Sequence, residues 1–252
     1  MSKPIVLFNS IVTELNVTAS HTETGYPASA VATPFTYDFW RKPAAAVAFL
    51  DIDAGEDVTA DSLGWLGSHG ATPVYSLESS DNGADYIEVV PQAFAIEGAN
   101  VALFDAVTAR YWRLNIGSTL NAYDVRNVMI GQSLEFERCI MKSHAPLPYN
   151  RVTRYTTNES GTGQFLGRSI IRQHQSTEVQ MEMMSAPWSR DQFQGFVRHA
   201  EKKPFYFSWN PDKYPDEAGY VWTDEDIGIS YTGDAALMTA SWNMKGVARY
   251  ES

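Results

Sequence analysis

The sequence predicts a mainly β protein built as two β-sandwiches, the second carrying one flanking helix. Three observations carry that prediction. Between Tyr75 and Val90, two short strand-forming runs flank Ser80-Asp81-Asn82-Gly83, the turn chemistry of a β-hairpin in which Asn82 and Gly83 tolerate positive φ and Asp81 can bond its own backbone. From Ala109 to Ile116, aromatic and aliphatic residues interleave with arginine in a further strand. Over 189–202 the pattern changes period, with Phe193, Phe196, Val197 and Ala200 recurring at helical spacing.

A chain of 252 residues has room for one large β domain or two smaller ones, each with a packed core. The formal net charge of −11 argues against a body that grips nucleic-acid backbone. A single cysteine, Cys139, excludes an internal disulfide framework and points to assembly in a reducing compartment. The apolar run at the start is too short for a signal peptide, and no stretch has the length of a membrane span. A soluble, intracellularly made protein without membrane insertion is expected.

In chain order, residues 5–8 and 11–17 read as short strands broken at Asn9-Ser10. Val17-Thr18-Ala19-Ser20 leads through a polar loop to Gly25-Tyr26-Pro27, and the run ends on Tyr37-Asp38-Phe39-Trp40-Arg41. The apolar run 44–53 reads as a buried strand, broken at Ala54-Gly55-Glu56-Asp57 and resumed from Leu63 to Gly67. Asp51, Asp53, Glu56 and Asp57 lie close together but lack the glycine and glutamate spacing of a calcium loop, so no metal is expected. Val125, Val128, Met129 and Ile130 close a first domain, 1–132, ahead of a second, 133–252. No Pro- or Ser-rich linker separates the two, so close packing is expected.

The second half begins with Leu134, Phe136 and Ile140 at even spacing in a charged strand. Thr156 to Gly167 is polar and glycine-rich, a long exposed loop or hairpin tip. Val179, Met181 and Met183 alternate with Glu178, Gln180 and Glu182 as a half-buried strand does. Ser189 with Gln192 makes a capping box, Lys202 and Lys203 suit the C-terminal end of the helix dipole, and Pro204 stops the helix. Phe205 with Phe207 and Trp209, Trp222, Ile227 to Ile229, and Met238 with Ala240, Trp242 and Met244 supply the remaining strands.

A search for catalytic motifs finds no P-loop, no G-x-G-x-x-G after a strand, no H-E-x-x-H and no G-x-S-x-G. His21, His69, His144, His174 and His199 have no metal-ligand spacing; His199 reads as a surface residue and Cys139 as a buried, inert thiol within a strand. The expectation is a protein that is not an enzyme and uses no cofactor.

The opening segments, followed by the Ser80–Gly83 turn and Ala109-Arg110-Tyr111-Trp112-Arg113-Leu114, resemble the discoidin (coagulation factor 5/8 C-type, galactose-binding-like) family over the first half of the chain. The resemblance implies a jelly-roll sandwich and, at its ligand-binding end, saccharide contacts from Tyr26, Trp40 and Trp65. Trp40 and Trp65 also carry the plainer reading of core aromatics. Thr33-Pro34 stands where the family has Asp-Gly, which weakens any metal or ligand role for that loop.

Phe205 to Pro211, Tyr220-Val221-Trp222 and Met238 to Trp242 are similar to minor tail proteins of long-tailed bacteriophages, whose tubes and distal rings are built from a β-sandwich with one helix. This second resemblance implies a structural virion protein of the tail tip or baseplate: a homo-oligomeric ring, bound to other tail proteins, assembled in the host cytoplasm and free of stable nucleic-acid binding. The alternative is a non-catalytic carbohydrate-binding module that recognises host surface saccharide. In a ring, the segment 143–167, with Asn158, Gly161, Gly163 and Gly167 around its tip, reads as an assembly arm; otherwise it is a surface loop.

Overall fold

The computed structural model describes residues 3–67, 71–140 and 144–247; His69 and Ser143 lie outside them. Among the described residues the chain is mainly β, with two sheets, one longer helix and three short 3-10 turns, Ala28–Ala32, Leu147–Tyr149 and Pro215–Glu217. After β1 (Ile5–Leu7) come the strands of a seven-stranded sheet: β2 (Val17–Ala19), β3 (Trp40–Lys42), β4 (Ala48–Gly67), β5 (Val74–Ser80), β6 (Ile87–Phe94), β7 (Ala99–Ile116) and β8 (Tyr123–Gly131). Their order is β3-β8-β4-β7-β5-β6, with β2 beside β4. The rest of the chain supplies β9 (Leu134–Glu135), β10 (Arg151–Glu159), β11 (Phe165–Ser185), β12 (Phe205–Ser208), β13 (Gly219–Thr223), β14 (Gly228–Thr232) and β15 (Asp234–Gly246). With β1 these form an eight-stranded sheet in the order β10-β11-β15-β13-β12-β1-β9, with β14 on β15.

The expected boundary at 132 therefore needs one correction. β1 belongs to the second sheet, where Val6 pairs with Phe207 on one side and Leu134 on the other. All three residues of β1 are buried, as a central strand requires. Residues 11–16, expected as strand, form none; Asn16 instead closes a turn by accepting from the Thr13 N–H and donating to the Ile11 carbonyl.

β4 runs unbroken through the expected gap at 54–57. Register shifts against β7 fall between Asp53 and Val58 and between Ala60 and Ser62, and Gly55 takes φ 82° at the first of them. Such bulges bend a strand instead of ending it, so both halves of β4 face one core. That core holds Trp40, Leu50, Ile52, Trp65, Trp112 and Tyr123. A second core holds Phe136, Phe193, Phe196, Phe205, Phe207 and Trp242. A third cluster, Leu7, Leu66, Ala99, Met129, Tyr206 and Tyr220, lies between the halves and joins them.

The hairpin read at 75–90 is β5 and β6. Its turn is organised by Ser80 and Asn82: the Ser80 Oγ accepts from the Asn82 and Gly83 N–H groups, and Asn82 Oδ1 accepts from those of Ala84 and Asp85. Of the two residues expected to tolerate positive φ, Gly83 adopts it, at 72°.

The helix spans 186–200, as a turn Ala186–Trp188, a π-turn Ser189–Phe193 and α1 (Gln194–Ala200). Phe193, Phe196, Val197 and Ala200 are buried, as their spacing predicts. The expected Ser189 cap is displaced by one turn. Ser185 is the capping residue, accepting from Trp188 N, because Pro187 fits the first turn, where its missing N–H costs nothing. Ser189 is instead buried inside the helix. Met183, expected on the buried face of β11, is half exposed at φ 58°, since a bulge between Met181 and Met184 hands the buried position to Met184.

Candidate functional site

The three residues expected to hold saccharide do not form a platform. Trp40 and Trp65 are 0% exposed. Trp40 donates its Nε1–H to the His21 carbonyl at 3.0 Å, and Trp65 packs edge-on to Tyr75 and Tyr123. Both rings are filler for the first core, the outcome that hydrophobic area favours for an indole. Tyr26 is half-buried and stacks on Phe39 at 4.9 Å, with the Arg41 guanidinium 4.2 Å from its centroid. Arg41 is itself held by both oxygens of Asp124, at 2.7 and 3.1 Å. Nearby, Phe35 and Tyr37 stack at 5.3 Å and stay exposed, beside a shallow hollow lined by Glu14, Tyr26, Tyr37 and Asp38.

The acidic run on β4 is spent on arginines across the ladder. Asp51 takes two bonds from Arg113, at 2.6 and 3.0 Å, and Asp53 two from Arg110, at 2.7 and 2.9 Å. Hydrogen bonding from Arg110 and the Gly55 N–H holds the Asp53 carboxyl below its ordinary pKa. No group of three or more His, Cys, Asp or Glu suited to a metal occurs among the described residues.

The histidines are dispersed. His144 packs against Phe207 and Trp209, and burial holds its pKa below the usual value. His199 is not a surface residue: its ring sits 5.4 Å from that of Phe8, Nε2 lies 3.0 Å from the Pro204 carbonyl, and burial lowers its pKa as well. Cys139 lies outside any strand, half-buried in the irregular stretch after β9.

The feature with no counterpart in the packed body is the hairpin of β10 and β11. β11 pairs with β15 from Gln175 to Ser185, whereas among the described residues its 165–174 stretch pairs only with β10. β10 is the outer strand of its sheet. Ten strand residues beyond the last β15 pair project the ribbon about 30 Å. Its turn is set by Gly163 at φ 80°, whose N–H donates to the Ser160 carbonyl, and Asn158 pairs with Gly167. The stretch expected as a loop or hairpin tip is thus strand up to Glu159, and only 160–164 is tip.

Sequence reading missed the apolar residues of this ribbon. Phe165, Leu166, Ile170 and Ile171 are 68, 66, 61 and 56% exposed, and Val152 and Tyr155 are exposed with them. The signal was present as paired large apolar residues, Phe165-Leu166 and Ile170-Ile171, in a segment otherwise read by its glycines. Asn158, Gly161, Gly163 and Gly167 shape the tip, with open space around the three glycines.

No family model matches the chain, and no curated protein matches it in sequence. Among solved structures it is similar to a chitosan-binding module of a chitosanase/glucanase from Paenibacillus sp. IK-5, at 18% identity and TM-score 0.44, over 49% of this chain and 98% of that one. It is similar to a pectin-binding carbohydrate-binding module at 15% identity and TM-score 0.42, over 45% of this chain and 87% of that one. It is also similar to a Ruminococcus gnavus fucosidase in complex with fucose, at 11% identity and TM-score 0.44, over 50% of this chain and 27% of that one. Likenesses of this size say nothing of what the chain binds.

Proposed function

We propose that this chain is a non-catalytic structural subunit that self-associates through the 151–174 hairpin, as a ring-forming connector in the tail tip of a long-tailed bacteriophage would. The observation that supports it is the exposed apolar ribbon standing off the second sheet. A two-stranded ribbon is marginal in water by itself, and contiguous exposed apolar residues on a soluble body mark a surface that is covered in use. The tail setting rests on the resemblance of the Phe205–Pro211, Tyr220–Trp222 and Met238–Trp242 segments, and it implies assembly in the host cytoplasm beside other tail proteins. The test is sedimentation and electron microscopy of the purified chain against a variant lacking Asn158 to Gly163. The reading expects closed oligomers for the first and monomers with native far-UV spectra for the second. Equal oligomer content in both would refute it.

A second reading, a saccharide-binding module, is favoured by one observation: the exposed, stacked Phe35–Tyr37 pair beside Glu14 and Asp38. Tyr37→Ala should then abolish glycan binding with the fold intact. Binding that survives this change would remove its basis.

A further inference from the structure

We infer that the partner of the hairpin is a second copy of this chain, and that the hairpin seats on the acidic open edge of the seven-stranded sheet. This rests on the self-association reading and names the surface it uses.

The first observation lies inside the ribbon. Arg154 is the ladder partner of Arg172, so both guanidinium groups leave the ribbon on one face, side by side. Like charges placed directly opposite destabilise a strand pair, and among the described residues no carboxylate is paired with either arginine. With Arg151 and Arg168 the ribbon carries four arginines against one acid, Glu159, in a chain whose net charge is −11. Arg168 lies over the Tyr155 ring at 3.8 Å, but the Arg154–Arg172 juxtaposition is repulsive in an isolated subunit, and a carboxylate-rich partner relieves it.

The second observation is where the carboxylates are. No lysine or arginine occurs between Lys42 and Arg110, while eleven Asp and Glu residues occur between Asp51 and Asp105. Asp81, Asp85, Glu88 and Asp105 line one open cleft beside the β5–β6 turn, together with the apolar Ile87 and Val107 and with no basic residue. β6 forms the open edge of its sheet, and Ile87 and Phe94 on it are 74 and 76% exposed. The cleft thus offers the two things the ribbon lacks, negative charge and apolar cover. Pro91 deprives β6 of one ladder donor, so the contact is made by side chains and not by a continuous strand pairing.

The two surfaces lie on different sheets, which allows one subunit's hairpin and edge to engage two different neighbours head-to-tail, the arrangement that closes into a ring when the rotation allows. Nucleic acid is the competing occupant for a basic ribbon. It would satisfy the arginines but leave Phe165, Leu166, Ile170 and Ile171 uncovered and meet an acidic body.

The experiment uses the full chain and sedimentation velocity, with far-UV spectra as the folding control. Arg154→Glu with Arg172→Glu, and separately Glu88→Lys with Asp105→Lys, should each weaken self-association by about tenfold or more, the scale of a desolvated charge pair. Mixing the two double variants should restore association as oligomers in which the two alternate, because each ribbon then meets an edge of opposite charge, and combining all four changes in one chain should restore association as well. Loss of association on deleting Asn158 to Gly163, with Glu88→Lys/Asp105→Lys unaffected, overturns the assigned partner surface and leaves the assembly reading intact. Association that survives both the deletion and Arg154→Glu/Arg172→Glu, or a wild-type chain that stays monomeric at every concentration, overturns both. Binding of a duplex oligonucleotide that the Arg154→Glu/Arg172→Glu variant loses, with self-association unchanged, overturns the proposal in favour of nucleic acid.

Discussion

The hydroxyl of Tyr206 lies 3.2 Å from the backbone carbonyl of Asn127 and 3.1 Å from its side-chain carbonyl, and so ties β12 of one sheet to β8 of the other. Asn127 in turn donates its amide to the carbonyls of Val31 and Thr33, and Tyr220 donates to the carbonyl of Pro34. These bonds sit around an apolar cluster that includes Leu7, Leu66 and Met129. A buried polar relay inside an apolar contact fixes one docking geometry, because any slip leaves a carbonyl without a donor. The two halves are held as one body, and a ribbon on the second half therefore has a fixed aim relative to the acidic edge of the first.

Tyr206→Phe should cost about 1–3 kcal/mol, the range for leaving a buried acceptor unsatisfied. Tyr206 is fully buried, so water does not replace the lost donor. Urea unfolding would measure this. A loss indistinguishable from that of a surface control would mean that the relay does not hold the halves together.

Gly64→Ala tests the same contact by crowding. A Cβ at Gly64 would lie 2.5 Å from the Tyr206 ring, nearer than real Cβ contacts allow. The ring is enclosed and has nowhere to go, so overpacking should cost about 1–3 kcal/mol. Because the two residues touch, Gly64→Ala combined with Tyr206→Leu should cost less than the sum of the single changes. Strict additivity in chemical unfolding would argue against the contact.

Phe196→Ala should cost about 3–5 kcal/mol, as for other buried aromatics. Its ring meets Phe205 edge-on at 4.7 Å and also touches Phe136, Phe193 and Trp242. A loss under about 1 kcal/mol by denaturant unfolding would place this face outside the core of the free subunit.

Much of this architecture is legible in the sequence because it is local. The 75–90 hairpin follows from turn chemistry, and the buried face of the helix from i, i+3, i+4 spacing. What escaped is spatial. The run Ile5-Val6-Leu7 announces a buried strand but not which sheet receives it. Asp51 and Asp53 look like a cation site until the ladder sets Arg113 and Arg110 beside them. Alternation through Met183 fails because a bulge shifts the phase, and no residue type there signals it. Trp40 and Trp65 illustrate the limit for sites, since an indole has the same sequence signature whether it fills a core or faces a ligand.

Acid should weaken the fold below pH 6.5, and the sign follows from His144 and His199. Burial lowers the pKa of both from the ordinary 6.5, so below that value the unfolded chain binds more protons than the folded one. Stability from these two groups is fully present above pH 6.5 and is lost as the pH falls beneath it. Thermal unfolding between pH 7.5 and 5 would show the decline, and His144→Gln with His199→Gln should flatten it. A profile that the double change leaves equally steep would assign the decline to other groups.

The ribbon should reveal itself in amide exchange before any partner is added. In β11, residues 176–181 bond to β15 within a broad sheet, whereas among the described residues 165–174 bond only to β10, which has no described strand on its far side. Opening the ribbon therefore breaks one ladder and no core, because Phe165, Leu166, Ile170 and Ile171 are already in water. Local opening of such an element lies far below the global unfolding free energy. In the free subunit, exchange should be at least about tenfold faster before Gln175 than after it, with the step at that residue. Holding the ribbon still costs roughly 1–2 kcal/mol per residue in backbone entropy, so protection can rise only if a neighbour supplies a large contact. On assembly, 151–159 and 165–174 should gain protection while 176–181 change little. Identical exchange across the ribbon in free and assembled protein would show that it takes no part in the contact.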